Sequence, residues 1–269
     1  SEYGDEKMTE IKQYTVCDGV GFRSIEDTRF KTMRIAVNFL VPLDEKYQVA
    51  ARALLPFLLT RASREYPDFT KMSARLAELY GASLSADVQK MGDTQVISVC
   101  ATGLADDYTL EGGGISGDLA ELLCSVLFQP LLVDGLFPAD GFEQERRQTI
   151  ELIDSEFNDK RVYAKQRCEQ ILCEGEPYSV SRYGSRDSIP SLKREDMTAI
   201  WRDLLRRARI EIMALGSCDP QPIRERFQKA FESVERDPVR SFPVLCPEAK
   251  SEVRVETERM EVAQSKLVL

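Results

Sequence analysis

The sequence predicts an α/β (α+β) fold, and three observations predict it. Segments rich in β-forming residues alternate with segments of helical period; the period switches from helix to strand just after Tyr80; and a buried strand ending at Gly216 runs into a helix opened by Asp219 and Pro220. That last joint is common in α/β layers, because Asp caps the first turn and Pro tolerates it.

Composition limits the functional classes. The chain has 269 residues, 43% of them hydrophobic and 30% charged, enough for one large domain or two small ones. With 45 acidic against 36 basic side chains the net charge is -9, so no broad basic face is available, and neither nucleic acid nor membrane is expected as a partner. The longest apolar run falls short of the ~18 residues that suggest a membrane span, and no charged start precedes an apolar leader. A cytoplasmic location is the expectation. Seven cysteines, an odd number with no CxxC pair, suit reduced thiols rather than a disulfide frame or zinc ribbon. The chain contains no histidine, which removes the commonest zinc ligand and the usual general base near neutral pH. Any catalysis would fall to carboxylates, lysine or cysteine.

In chain order, Gly21 to Asp27 and Lys31 to Val41 read as two strands joined by a short turn, and Pro42 ends the second. Asp44 can cap a helix through Tyr47 and Ala50 into RALLPFLLT, Arg52 to Thr60. This run is too uniformly apolar to have a solvent face, and Pro56 in its interior predicts a bend. A second helix, from about Thr70 to Tyr80, carries Met72, Leu76 and Leu79 at helical spacing and stops at Gly81. Ala82 to Lys90 and Gln95 to Thr102 alternate around Met91-Gly92-Asp93-Thr94, a hairpin in which Gly92 supplies the turn. The glycines of LEGGGISG, Leu110 to Gly117, read as a loop, because no strand feeds them and no Gly-Lys-Ser/Thr follows.

Asp118 to Phe128 places Leu119, Leu122, Leu123 and Val126 on one face of a helix closed by Pro130. A long helix from about Asp140 to Cys173 has Phe142, Ile150, Ile153, Phe157, Tyr163, Ile171 and Leu172 as candidate buried positions, with a break expected near Asn158-Asp159. Glu174 to Leu192, holding Gly175, Pro177, Gly184 and Pro190, reads as a loop. Helix, strand and helix then follow, at Lys193 to Arg207, Arg209 to Cys218 and Pro220 to Val234. The expected organisation is an N-terminal tail or cloning remnant over 1–14, one domain over 15–234 and a proline-bearing linker over 235–250. The alternating 251–269 would be the first strands of a following, missing half, since an apolar strand left unpaired has an open edge.

This order resembles the N-terminal half of the insulinase family of zinc peptidases, M16. The local match is strongest over LLPFLLTRASREYPDFTKMSARLAELYGASLSADV, Leu54 to Val88, which is similar to the family's zinc-motif helix, its following helix and the next hairpin. Asn158 to Ser185 resembles the bacterial branch that lacks the HxxEH motif. The resemblance implies a mostly antiparallel sheet with helices packed on one face. Laying HxxEH on the sequence puts its first histidine at Ala53, its glutamate at Pro56 and its second histidine at Phe57, leaving AxxPF. In an active member two histidines a helical turn apart hold Zn²⁺ while the glutamate activates its water. Alanine, proline and phenylalanine supply none of this. The family's third ligand, a glutamate, would fall near Glu151 or Leu152; Glu145 and Glu151 otherwise read as the solvated face of a charged helix. No metal and no cofactor are assigned.

The implied function is a catalytically inactive subunit that pairs with an HxxEH-bearing homologue, or with itself, and binds peptide. A metal-independent enzyme is the alternative, built on carboxylates or on Cys168 and Cys173 with Lys165 nearby. Arg182, Tyr183 and Arg186 could bind a carboxylate or phosphate, against an ordinary charged surface loop. A purely structural oligomer partner is the third reading.

Overall fold

A computed structural model describes residues 10–43, 46–110, 114–239, 247, 253–261 and 264–268. Its strands are β1 (Ile11–Cys17), β2 (Val20–Ile25), β3 (Thr32–Pro42), β4 (Ser83–Met91), β5 (Thr94–Leu104) and β6 (Arg209–Leu215). They form one six-stranded sheet in the order β1-β2-β6-β3-β5-β4. Among the described residues every pairing is antiparallel except β2 with β6, which run parallel.

The two early strands exist where expected but are not neighbours, because β6 inserts between them. Its Ile210, Ile212 and Ala214 are almost fully buried, which suits a central position flanked on both edges. Gly216 lets the chain leave this crowded place: at φ +114° it passes so close to β3 that an added Cβ would lie 2.6 Å from the Thr32 carbonyl oxygen. Ile11 to Cys17, read as mostly tail from its polar residues, is an edge strand paired only with β2, and an edge needs no apolar alternation. The β4–β5 hairpin forms as expected, with Gly92 at φ +53° in its turn.

The helices are α1 (Lys46–Leu59), α2 (Phe69–Glu78), α3 (Ser116–Phe128), α4 (Ala139–Asn158), α5 (Lys160–Leu172), α6 (Arg194–Arg207) and α7 (Pro220–Phe231). Asp44, the expected cap of α1, lies outside the described residues. Strand pleating sends Ile35, Val37 and Phe39 of β3, Ile97 and Val99 of β5 and Phe22 of β2 to one face, where they meet Leu54, Leu55, Leu119, Leu123, Leu204 and Phe227. Each such side chain contributes about 1.5–3 kcal/mol on burial. The opposite face is polar: Ser98 Oγ donates to Asn38 Oδ1 at 2.7 Å, and Asn38 Nδ2 to the Glu211 carbonyl at 3.2 Å. This is the layered arrangement that the resemblance implied.

The long helix breaks where expected. Asp159 ends α4 and caps α5, its carboxylate accepting from Arg161 N at 3.0 Å and Val162 N at 3.3 Å. Phe157 and Leu172, expected inside, are 45% and 65% exposed: Phe157 lies in the last turn of α4 at the break, and Leu172 ends α5, which buries no residue at all.

After α7, Arg236 donates to the carbonyls of Asp18, Leu205 and Ala208, and Asp237 pairs with Arg206 and Arg207, so the first residues read as linker are pinned to the domain. Residues 240–246 and 248–250 lie outside the described residues. The described parts of 251–269 form no strand; alternation needs a partner backbone to become a ladder. Among the described residues no helix is long and apolar enough to cross a membrane.

Candidate functional site

Ala53 and Phe57 stand one helical turn apart on α1, so their side chains share a face. That face is closed. Ala53, at 0% exposure, packs with Val88 and Tyr183, at 0% and 4%, and Phe57 and Ile153 lie against the same group. Three elements besides α1 supply the lining: edge strand β4 turns Val88 inward, α4 contributes Ile153, and the loop after α5 delivers Tyr183. Pro56 is buried outside this cluster, and its carbonyl accepts from both Thr60 N and Thr60 Oγ at 3.1 Å.

The donor set does not fit zinc. Two methyl-bearing aliphatics, an alanine, a phenyl ring and one phenol surround the place where the resemblance lays two imidazoles and two carboxylates, and a tetrahedral Zn²⁺ needs nitrogen, sulfur or carboxylate ligands. Burial, the largest influence, pushes the Tyr183 hydroxyl above its ordinary range, with Arg182 acting the other way. It therefore stays a neutral phenol. Among the described residues no group of three or more His, Cys, Asp or Glu is arranged to hold a metal ion.

Polar contacts hold the loop that carries Tyr183. The Arg182 guanidinium lies 4.9 Å from the Tyr183 ring centre and pairs with Glu156 of α4, whose other oxygen accepts from Gln166 Nε2 at 2.6 Å. Gln95, fully buried in β5, donates through Nε2 to the carbonyls of Val49 at 3.0 Å and Arg182 at 2.7 Å, tying loop, sheet and α1 together. Lys90 Nζ donates to the Tyr178 carbonyl at 2.8 Å and pairs with Glu169 at 3.1 Å.

Glu151 is exposed and outside the cluster; Ile153, two positions on, is the α4 residue that faces it. Glu145 departs from the solvated face expected for it: at 7% exposure it accepts from Arg61 Nη1 at 2.6 Å, fastening α4 to the end of α1. Arg186 makes a two-pronged pair with Asp154, at 2.6 and 2.8 Å, and holds that carboxyl below its usual range. Both arginines of the loop thus serve internal pairs rather than an open anion site.

Cys168 and Cys173 are half-buried, and Lys165 sits 4.0 Å from Glu169. Burial pushes the Cys124 and Cys218 thiols up to about 12. The LEGGGISG stretch ends on a carboxylate: Asp106 Oδ1 accepts from Ile115 N at 2.7 Å and Ser116 N at 2.9 Å, filling the α3 N-terminus. With Asp107 and Asp219 it lines an acidic recess of about 400 Å³, which repels phosphate. Residues 111–113 and Cys246 lie outside the described residues.

The filling role of Tyr183 escaped the sequence reading, as did that of Val88; Ile153 was expected to be buried, but not against Ala53. The one local signal was a large aromatic set between polar residues and Gly184 in a loop.

No family model matches the chain. Over 218 residues it is 27% identical to the "Probable inactive metalloprotease YmfF" of Bacillus subtilis (strain 168), a match covering 81% of this chain and 51% of that protein. Among solved structures, a conserved protein from Enterococcus faecalis V583 superimposes with TM-score 0.76 at 24% identity, over 86% of this chain and 54% of that one. A peptidase M16 inactive domain from Pseudomonas fluorescens superimposes with TM-score 0.63 at 14% identity, over 87% and 53%. The chain thus spans about half the length of the proteins it matches, and its fold is that of M16 peptidase domains.

Proposed function

We propose that this chain, an inactive M16 peptidase homologue, is a non-catalytic subunit that pairs with an HxxEH-bearing zinc peptidase and helps bind the peptides that the peptidase processes. One observation carries the reading: the α1 face on which the resemblance lays the zinc motif is occupied by Tyr183, Val88 and Ile153 instead of ligands. In this reading Ala53, Pro56 and Phe57 are the emptied motif positions and Glu151 is the remnant of the third-ligand region, while α4 turns Ile153 toward the cluster. A domain that has lost its chemistry but kept its core retains shape, charge and a sheet edge at β4, and an exposed edge can take an extended peptide as an added strand. The bacterial curated relative supports a bacterial source, and we place the protein in the cytoplasm.

A cysteine-based enzyme on Cys168 and Cys173 is disfavoured because the chain has no histidine to act as base and the nearby Lys165 lies 4.0 Å from Glu169. Mixing this chain with an HxxEH-bearing homologue from the same genome tests the reading, with cleavage of a peptide library as readout. A changed rate or cleavage preference, together with co-elution, is the expected result. Unaltered cleavage with no co-elution would remove the subunit reading.

A further inference from the structure

Helix α5 is unusual in burying no side chain while presenting Lys160, Arg161, Lys165 and Arg167. At its start Phe157 and Tyr163 meet edge-to-face with centres 4.7 Å apart, and Lys160 Nζ lies 3.9 Å from the Phe157 ring centre. Against this corner sits a carboxylate from far along the chain. Tyr163 Oη donates to Glu258 Oε2 at 2.6 Å, and Arg167 Nε donates to Glu258 Oε1 at 2.7 Å, so each carboxylate oxygen has its own donor.

The segment bearing Glu258 forms neither helix nor strand over residues 253–261. Arg254, Glu256 and Glu258 make polar contacts, Arg254 pairing with Glu174 at 2.5 Å and with Glu256 at 2.8 Å, while Val253 and Val255 are 92% and 81% exposed. Arg254 and Glu258 therefore reach the domain while Val253 and Val255 face solvent. Burial of apolar surface does not hold the segment there; side-chain charge does, and exposed ion pairs are individually weak.

We propose that Tyr163 and Arg167 form a carboxylate-recognition notch for an acidic residue of an extended peptide segment, and that Glu258 occupies the notch in cis as a competing, autoinhibitory ligand. The notch takes the acidic side chain, the cationic face of α5 favours further acidic positions, and a segment arriving in trans must displace residues 253–261. Because the cis contact rests on a few exposed polar pairs, it masks the notch only in part. Freeing the notch raises apparent trans affinity by the reciprocal of the unoccupied fraction, about fivefold for a cis contact of this type. The proposal does not depend on pairing with a peptidase, since the notch lies outside the Ala53 cluster.

The test uses the full 269-residue chain and a fluorescein-labelled peptide with the sequence of residues 253–261, VRVETERME, read by anisotropy at low salt. Glu258→Ala should bind this peptide about fivefold more tightly than the parent. Adding Arg167→Ala to that variant should abolish the gain, and a peptide with all its glutamates changed to glutamine should bind neither protein. Unchanged far-ultraviolet circular dichroism checks that each variant is folded, as expected for exposed positions. The proposal is overturned if Glu258→Ala binds no tighter than the parent, if the double variant binds as tightly as Glu258→Ala, or if the glutamine peptide binds equally well.

Discussion

Tyr183 supplies the ring that closes the Ala53 face, so its truncation should leave a hole lined by Val88, Phe57 and Ile153. Tyr183→Ala is expected to lower unfolding stability by about 3 kcal/mol, as large-to-small changes in buried aromatic positions do, whereas Tyr183→Phe should cost less than about 1.5 kcal/mol. Urea denaturation of both variants checks this, and equal losses would mean that the hydroxyl, not the ring, matters. The half-buried thiols of Cys124 and Cys218 give a second test at this scale. Cys124 has a folded-state pKa raised from 9.0 to about 12, so the stability it contributes is fully present below pH 9 and is lost as pH rises from there toward 12. At pH 7 both Cys124 and Cys218 should react with a disulfide reagent only after unfolding; rapid native-state modification of either would contradict their placement.

Helices and loops decide how that site is assembled. Asp159 caps α5 through two backbone N–H groups, and α5 has no buried face to compensate for losing them. Asp159→Ala should therefore cost about 0.5–2 kcal/mol of local helix stability and speed amide exchange through Val162 and Tyr163, with little change in α4. Much at this scale was legible beforehand. The β4–β5 hairpin, the break at Asn158-Asp159 and the Asp219-Pro220 opening of α7 are each written in local turn and cap chemistry. The placement of β6 between β2 and β3 was not, because a parallel pairing between distant segments leaves no mark in either one. For the same reason the resemblance can lay the motif on Ala53, Pro56 and Phe57 without foretelling what packs against that face. Tyr183, Val88 and Ile153 come from a loop, a strand and a helix that only the folded chain brings together. Glu145 misled for a related reason: a carboxylate on a charged helix looks solvated until its partner, Arg61, arrives from another element.

At the scale of the whole molecule, the described sheet and helical layer share an apolar core, and side chains from α1, α4 and β4 meet where the resemblance places the zinc motif. The central claim is that the motif face of α1 is packed rather than ligating. Zinc content by mass spectrometry after equilibration with Zn²⁺, taken with peptide cleavage by this chain alone, tests it most directly. A metal-free and inert protein is the predicted result, and an unchanged result after Tyr183→Ala would extend it to the opened face. Stoichiometric zinc, or cleavage without a partner, would contradict the account and move the chemistry to the protein's carboxylates and cysteines.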